Sequence, residues 1–172
     1  MDISVRLIEL TIMHPRLLWE DIMAATVATL SRTGVQSPFP FELAVEDLPG
    51  FGNAQLRLLI DPAGVTSEQV SQLQRTYEPS RLVELAAIAV VGLGLYYGGG
   101  HEIMDIALRG SGADYLVDES DLLLEVAGRS RRSDFEVAWQ QRWQRLTERL
   151  GSGFYVCVAE FETPAGRLAF KA

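Results

Sequence analysis

Two acidic residues stand within a stretch, residues 112–128, that is predicted to form two short strands joined by an acidic turn. Asp114 opens the first strand, and Glu125 lies late in the second. Pairing of the strands would bring the two carboxylates side by side, and carboxylate oxygens are the ligands that Mg²⁺ prefers. Asp114 and Glu125 are therefore the candidate metal ligands, for Mg²⁺ or Mn²⁺. No other cofactor is indicated.

The charge of the chain limits what such a site could act on. The net charge is −8, from 15 basic and 23 acidic residues, and this balance disfavours broad electrostatic binding to nucleic acid. Basic residues are nevertheless concentrated between positions 129 and 149. Contact with nucleic acid through this patch stays open, although a solvated helix face explains the patch more simply. Its arginines are Arg129, Arg131, Arg132, Arg142, Arg145 and Arg149.

Length and composition are typical of one soluble globular domain, with 172 residues of which 48% are apolar. We expect a single domain over 1–172, with a secondary division into portions 1–78 and 79–172. No secretory leader is recognisable. The longest apolar stretch, Leu82–Tyr97, contains Glu84 and predicts a buried helix instead of a membrane span. These features predict a cytoplasmic protein without membrane contact.

Other site chemistries lack their motifs. Cys157 is the only cysteine, which excludes an intramolecular disulfide and a cysteine zinc cluster. The chain has no His-Glu-x-x-His zinc motif, no phosphate-binding loop ending in Lys-Ser/Thr and no Gly-x-Ser-x-Gly elbow. Gly92 and Gly94 fall inside a predicted helix, so we expect them to permit close packing and not to bind a nucleotide.

The N-terminal portion is predicted to follow the order β-α-β-β-α. The strand predicted over 41–48 alternates apolar and acidic positions, so one of its faces should be wet. Thr66 and Gln69 form a capping box for a helix that ends at Tyr77. The other predicted elements are a strand over 3–12, a helix from Pro15 to Leu30 and a strand over 55–60.

The C-terminal portion is predicted to follow the order α-β-β-α-β-β. Ser133 and Glu136 form a second capping box, which starts a helix that ends near Leu150. The other predicted elements are an apolar helix over 81–97, a short helix over 101–108, the strand pair within 112–128 and strands over 154–161 and 168–170. Helices mixed with short strand pairs indicate an α+β (mixed α/β) fold, with a central mixed sheet flanked by helices.

The second half of the chain resembles a known family. From about residue 80 to residue 172, the order helix, strand pair, helix, strand, with Asp114 and Glu125 on the paired strands, resembles the PD-(D/E)XK phosphodiesterase superfamily, the restriction-endonuclease-like fold. The resemblance implies a nuclease-like core in the C-terminal half, with the N-terminal β-α-β-β segment as an extension. In that family an aspartate and a glutamate hold Mg²⁺, and a lysine two residues after the glutamate activates the attacking water.

Carried onto this chain, the resemblance assigns the family's aspartate to Asp114 and its glutamate to Glu125. A glutamate on the preceding helix often assists in the family, and Glu84 matches it. Ala127 stands where the lysine is expected, and Lys171 is the only lysine of the chain. The resemblance therefore implies the metal-binding carboxylates without the group that activates water.

Two residues could partly replace the missing lysine. Arg129, just beyond Glu125, could stabilise a phosphate but cannot readily act as a base, because a guanidinium stays protonated. Gln141, with Gln140 and Gln144 beside it on the next predicted helix, could orient a water. Arg129 and Gln141 are thus the secondary catalytic candidates.

Each acidic candidate also has a structural explanation. Asp114 could cap a strand or a turn, and Glu125 could point towards a wet face of the sheet. Glu84 lies near the N-terminus of a helix, where an acid interacts favourably with the helix dipole.

Three hypotheses about function follow. The first is a nuclease-like domain that has lost catalysis and serves as a binding or assembly module in a bacterial system, which Ala127 and the acidic charge favour. The second is an active metal-dependent nuclease that uses Asp114 and Glu125. The third is an unrelated α+β protein that binds a protein partner or itself, with strand 41–48 as an exposed edge. The first is preferred, with a protein partner or a second copy of the chain as ligand.

Overall fold

A computed structural model describes residues 1–172, and a single eight-stranded sheet runs through it. Helices flank this mixed sheet, so the mixed α/β class expected from the sequence is confirmed. The strands are β1 (Asp2–Arg6), β2 (Phe39–Leu48), β3 (Gly52–Asp61), β4 (Ile103–Ile106), β5 (Tyr115–Val117), β6 (Leu122–Arg129), β7 (Phe154–Glu160) and β8 (Ala165–Lys171). The helices are α1 (Leu10–Met13), α2 (Glu20–Ser31), α3 (Ser67–Thr76), α4 (Pro79–Tyr97) and α5 (Phe135–Leu150).

The strands lie in the order β1-β3-β2-β8-β7-β6-β5-β4. Three neighbouring pairs are parallel, namely β1 with β3, β2 with β8 and β6 with β7, and the other four are antiparallel. The parallel pair β2–β8 joins the N-terminal portion of the chain to the C-terminal portion. One continuous hydrogen-bonded sheet therefore crosses the division expected near residue 78.

The alternation of β7 places helices on both faces of the sheet. Tyr155 and Cys157 pack into the large core that includes α4, whereas Phe154 and Val156 pack into a smaller core with Trp139 of α5. Successive side chains of a strand point to opposite faces, so α4 and α5 cover opposite sides of the sheet. Burial raises the pKa of the Cys157 thiol, which suits a core residue and not a nucleophile.

Helix α4 is the central helix of the large core. Pro79 stands in its first turn, where its missing N–H costs nothing, and Gly98 ends it. It is the one helix with the length and composition to cross a membrane, and 72% of its apolar window is buried within the protein. Both α2 and strands β6 and β7 pack against it.

Strand β2 alternates as the sequence predicts. Phe41, Leu43 and Val45 are buried, whereas Glu42 on the other face is exposed and lies 3.3 Å from the guanidinium of Arg57 on β3. The expected edge position is wrong, however, because β2 lies between β3 and β8 and the sheet edges are β1 and β4. The acidic side chains of β2 therefore face solvent from an interior strand of the sheet, and they do not protect a sheet edge.

The segment after Arg6 differs from the predicted strand over 3–12. Strand β1 ends at Arg6, and a 3₁₀ turn over Leu7–Glu9 leads into α1. The turn is closed by the Glu9 carboxylate, which accepts a hydrogen bond from the Arg6 N–H at 3.2 Å. Leu7 and Leu10, one turn apart, are both fully buried, so burial of one helical stripe replaces the alternation of a strand.

Three other boundaries also differ. Helix α2 begins at Glu20 and not at Pro15, because the intervening loop is closed by Trp19, whose indole N–H donates to the His14 carbonyl at 2.8 Å. Strand β8 begins at Ala165, three residues before the predicted start at 168. The capping box of Thr66 and Gln69 forms. That of Ser133 and Glu136 does not, because a 3₁₀ turn over Arg132–Asp134 precedes α5.

The helix predicted over 101–108 is wrong, since this segment contains strand β4. Ile103 pairs with Val117 of β5, and its N–H donates to Nδ1 of His14 at 3.0 Å. The His14 ring is fully buried, and its Nε2 donates to the Gly92 carbonyl at 2.8 Å. These partners leave one ring proton, on Nε2, so the imidazole is neutral. His14 thereby ties α1 to α4 and to β4.

We expect Gly128→Ala to destabilise the protein by about 3 kcal/mol, because overpacking that moves a backbone is costly. A Cβ at position 128 of β6 would lie 2.4 Å from the Val83 carbonyl oxygen in α4. Gly92→Ala is the comparison variant, since its Cβ would meet the ends of the Leu10 and Trp19 side chains at 3.0 and 3.2 Å. Urea unfolding should rank Gly128→Ala well below Gly92→Ala, and equal losses would contradict this packing.

Acid should destabilise the protein through His14. Burial lowers the pKa of His14 below its ordinary value, with the Gly92 hydrogen bond and the Asp118 charge opposing that effect. The folded state binds fewer protons at this site than the unfolded chain, so the stabilisation is complete above about pH 6.5 and declines as the pH falls. The decline is at most about 1.4 kcal/mol for each pH unit.

The measurement is the unfolding free energy of the wild type and of His14→Gln between pH 8 and pH 5. Glutamine can still donate to the Gly92 carbonyl but leaves the Ile103 N–H without its acceptor, so the variant should be less stable at pH 8. The difference between the two proteins should shrink as the pH falls. A difference that does not change with pH would contradict a neutral buried His14.

Candidate functional site

A cleft opens where strand β6 runs on beyond its neighbour β5. Strand β5 pairs with β6 only from Leu122 to Leu124, whereas β6 continues to Arg129 along β7. The cleft has a volume of about 390 Å³ and is reached by side chains from both flanking helices. It is lined by Arg81, Glu84, Ile88, Ile106, Asp114, Tyr115, Glu125, Val126, Ala127, Gly128, Arg129 and Arg142.

Asp114 stands at the mouth of this gap, directly before β5. Its backbone N–H donates to the Leu124 carbonyl at 2.9 Å, which continues the ladder by one residue. Its Oδ2 accepts the N–H of Val126 at 2.8 Å. The carboxylate thus supplies the acceptor that β5 no longer provides to β6, as the strand-capping explanation anticipates.

Glu125 is the buried acid of the cleft. Its side chain is only 8% exposed and lies on the α5 side of the sheet with Leu123 and Ala127. Oε1 accepts a hydrogen bond from Nη2 of Arg145 and lies 3.6 Å from Nε of Arg142. Oε2 is buried and has no hydrogen-bond partner in the protein. The wet sheet face considered for this residue is therefore wrong, since the carboxylate is enclosed and ion-paired.

Positive charge is concentrated around Glu125. Burial lowers the pKa of the Arg142 guanidinium and the nearby Arg129 lowers it further, while Glu125 opposes both effects. Arg142 also donates Nη1 to the Ala138 carbonyl at 3.2 Å, one turn earlier in α5. Arg129 donates to the Gly128 carbonyl at 2.8 Å. The cleft thus holds several guanidinium groups within reach of one carboxylate.

The other arginines of the 129–149 patch lie elsewhere. Arg132 stacks on the Phe135 ring and lies 3.7 Å from the buried carboxylate of Glu160. Arg149 donates to the Gly110 carbonyl of the loop before β5. The patch predicted from the sequence is therefore divided, and Arg129, Arg142 and Arg145 are its members at the cleft.

Glu84 lies on the α4 side of the same cleft. Its Oε2 accepts a hydrogen bond from Arg81 at 2.9 Å, and both side chains are 54% exposed. The two residues are one helical turn apart, a spacing typical of an exposed ion pair. Glu84 is therefore engaged by its own helix and makes no contact with the carboxylate of Glu125.

The position of the expected lysine and the remaining candidate, Gln141, differ in their relation to the cleft. Ala127 is buried in the small core with Trp139 and offers no polar group to the cleft that it lines. Gln141 is exposed on α5 and does not line the cleft. Its neighbours Gln140 and Gln144 donate to Glu136 and Glu148 of the same helix at 2.8 Å. None of these glutamines stands beside Asp114 or Glu125.

The arrangement does not fit Mg²⁺. No group of three His, Cys, Asp or Glu side chains in the chain could hold a metal ion. Asp114 is used by a backbone N–H, Glu84 by Arg81 and Oε1 of Glu125 by arginine. A hard cation needs several oxygen ligands, and guanidinium groups occupy one oxygen each of Glu84 and Glu125. The side chains that line the cleft therefore suit hydrogen bonding and anion binding better than metal coordination.

Sequence reasoning missed Arg81, Ile106 and the pairing of Glu125 with α5. Arg81 stands three residues before Glu84, so the local spacing contains a signal for that pair. Ile106 was assigned to a helix. Arg145 lies 20 residues after Glu125, on α5 instead of β6, so no local spacing in the sequence predicts their contact.

The acidic turn after β5 is also more than a solvated loop. Asp118 Oδ1 accepts the Glu102 N–H at 2.8 Å, and Oδ2 lies 2.8 Å from Nδ1 of His101. The other ring nitrogen of His101 lies 2.9 Å from the Pro49 carbonyl oxygen. This cluster links the β2–β3 turn to the β4–β5 pair, away from the cleft.

Comparison of the chain with protein-family models, with curated proteins and with solved structures finds no match.

Glu125→Gln should destabilise the protein by about 2 to 3 kcal/mol, because removing the carboxylate leaves the charge of the largely buried Arg142 guanidinium uncompensated. The matched control is Glu84→Gln, the same chemical change at an exposed pair, which should cost less than about 0.5 kcal/mol. Urea unfolding at pH 7 compares the two variants. A loss for Glu125→Gln as small as that of the control would contradict a structural ion pair at this site.

Proposed function

We propose that the chain is a nuclease-like domain that does not hydrolyse phosphodiesters and that uses the cleft beside β6 to bind a ligand. The observation that carries this proposal is the contact of the Glu125 carboxylate with two guanidinium groups, Arg142 and Arg145. A carboxylate that ligates Mg²⁺ must present its oxygens to the metal. Here Oε1, the oxygen that faces α5, is already paired with the arginines of that helix.

The missing base supports the same proposal. Ala127 lines the cleft two residues after Glu125, and the only lysine, Lys171, lies in β8 on the far side of β7. Hydrolysis at neutral pH needs a group that generates or orients the nucleophile. Arginine stabilises negative charge but stays protonated. The cleft thus holds groups that bind anions and lacks the lysine to which the resemblance assigns the activation of water.

The order of elements in the second half supports the nuclease-like assignment. Helix α4 is followed by the antiparallel strands β5 and β6, then by α5 and by β7, which is parallel to β6. This order is the one on which the resemblance to the PD-(D/E)XK superfamily rests, with the additional strand β4. Asp114 and Glu125 lie at the corresponding places, before β5 and within β6.

A second candidate is an active metal-dependent nuclease. It is favoured by the buried Oε2 of Glu125, which has no partner in the protein, and by Asp114 and Glu84 in the same cleft. An acceptor left without a donor is costly, and a metal ion would relieve that cost. The ion pairs of Glu125 and Glu84 oppose this candidate.

The proposed partner is a protein or a second copy of the chain, in a bacterial system and in the cytoplasm. Net charge opposes extended contact with nucleic acid, since a charge of −8 repels a polyanion outside the cleft. The arginines at the cleft favour an anionic group on the ligand.

Mg²⁺ and Mn²⁺ titration by calorimetry tests the proposal. We expect no saturable binding at millimolar metal in the wild type, and the same result for Asp114→Asn/Glu125→Gln. We also expect no metal-dependent cleavage of single-stranded or double-stranded DNA or RNA, because the lysine is absent.

Saturable metal binding that disappears in the double variant, together with metal-dependent cleavage, would overturn the proposal in favour of the active nuclease. Glu84→Gln is the control in both assays, since it removes a carboxylate of the same cleft that is already paired with Arg81.

A further inference from the structure

We propose that Arg145 determines the charge of ligand that the cleft accepts: it acts as a displaceable internal counter-ion that occupies Glu125 and keeps divalent cations out. This inference rests on the proposed function of the cleft as a binding site without hydrolysis. It adds a second reason, beside the lack of a three-ligand cluster, for the cleft to disfavour a cation although Asp114, Glu84 and Glu125 line it.

Only one of the two oxygens of the Glu125 carboxylate has a partner in the protein. Oε1 takes the hydrogen bond from Arg145 and the nearby charge of Arg142, whereas Oε2 is buried without a partner. Glu125 as a whole is 6% exposed and lines the open cleft. A buried acceptor without a donor favours any ligand that satisfies it. The unpaired oxygen therefore points to a binding function at this residue.

The two arginines that contact Glu125 are not equivalent. The Arg142 side chain is 19% exposed and is held by the Ala138 carbonyl, whereas the Arg145 side chain is 56% exposed and has Glu125 as its one ion-pair partner. Moving a half-exposed guanidinium into water costs little, since most of its hydration is already present. Moving Arg142 would break its contact with α5 as well. Arg145 is therefore the arginine that a competing ligand can displace.

The charge balance of the cleft depends on Arg145. Arg81, Arg129 and Arg142 line the cleft with Glu84, Asp114 and Glu125, which is three positive against three negative charges, and Arg145, which contacts Glu125 without lining the cleft, brings the net charge to +1. Without Arg145 the net charge is zero and Oε1 of Glu125 faces only Arg142, at 3.6 Å. A divalent cation then meets Oε2 of Glu125, which has no partner in the protein, and Oε1 without its hydrogen bond from Arg145.

Calorimetric titration of Mn²⁺ into Arg145→Gln tests this role. Glutamine keeps a hydrogen-bond donor near Glu125 and removes the charge. We expect this variant to bind Mn²⁺ saturably, with a Kd at least about tenfold below the highest concentration at which the wild type shows no saturable binding, because a unit charge a few ångströms from a divalent ion repels it even in a water-like dielectric. Adding Glu125→Gln to Arg145→Gln should abolish the gain.

The matched control is Arg149→Gln. Arg149 lies one helical turn beyond Arg145 on α5 and donates to the Gly110 carbonyl without contacting Glu125. The Arg149→Gln substitution makes the same change in net charge, so this variant should show no saturable Mn²⁺ binding, as expected for the wild type. An equal gain in Arg149→Gln would show a general charge effect and would overturn the specific role of Arg145.

Two further outcomes are decisive. An Arg145→Gln protein that melts cooperatively, yet binds Mn²⁺ no better than the wild type, overturns the role of Arg145 and leaves the proposed function intact. Tight binding to the wild type that Glu125→Gln removes overturns the proposed function itself. Arg145→Ala, at the same half-exposed helix position, replaces Arg145→Gln should the glutamine variant fail to fold.

Discussion

No residue of strand β7 is exposed: its side chains alternate between the large core under α4 and the small core under α5. A strand that is apolar on both faces must be covered on both faces, and this requirement places the two helices on opposite sides of the sheet. Strand β6 lies beside β7 and is longer than its other neighbour, β5. The gap beyond the end of β5 is reached from both helices, because α4 and α5 cover opposite faces of the sheet.

Burial of Glu125 sets the second constraint. A carboxylate that is almost fully enclosed is stable only with a counter-charge or with several hydrogen bonds. Helix α5 supplies that charge through Arg142 and Arg145, three residues apart and so on one face of the helix. Asp114 has a different structural role beside β6. Its carboxylate accepts the Val126 N–H, which the short β5 leaves without a strand partner. Both acids thus have a structural role in the folded protein that does not depend on a ligand.

The sequence predicts the local elements better than the contacts between them. Alternation along β2, the Thr66–Gln69 capping box and the apolar run of α4 are local signals, and all three appear in the structure. Strand β4 was missed because its conformation depends on a hydrogen bond from Ile103 to His14, a residue in the distant α1 segment. The candidate site shows the same difference between local sequence signals and contacts between elements. Motif spacing places Asp114 and Glu125 on adjacent strands, whereas their actual partners, Val126 and Arg145, depend on where β5 ends and how α5 packs.

Compensation of the Glu125 charge depends both on the residue at position 127, which is not a lysine, and on the arginines of α5. Position 127 lies on the same side of β6 as Glu125, and Ala127 there is enclosed in the small core. With alanine at this position, no charge on β6 itself can compensate the Glu125 carboxylate, so the compensation must come from another element or from a ligand. Arginine on α5 provides it in the folded protein, and its rigid fork binds a carboxylate more firmly than an ammonium does. Alanine at position 127 therefore leaves Glu125 dependent on the α5 arginines for its counter-charge.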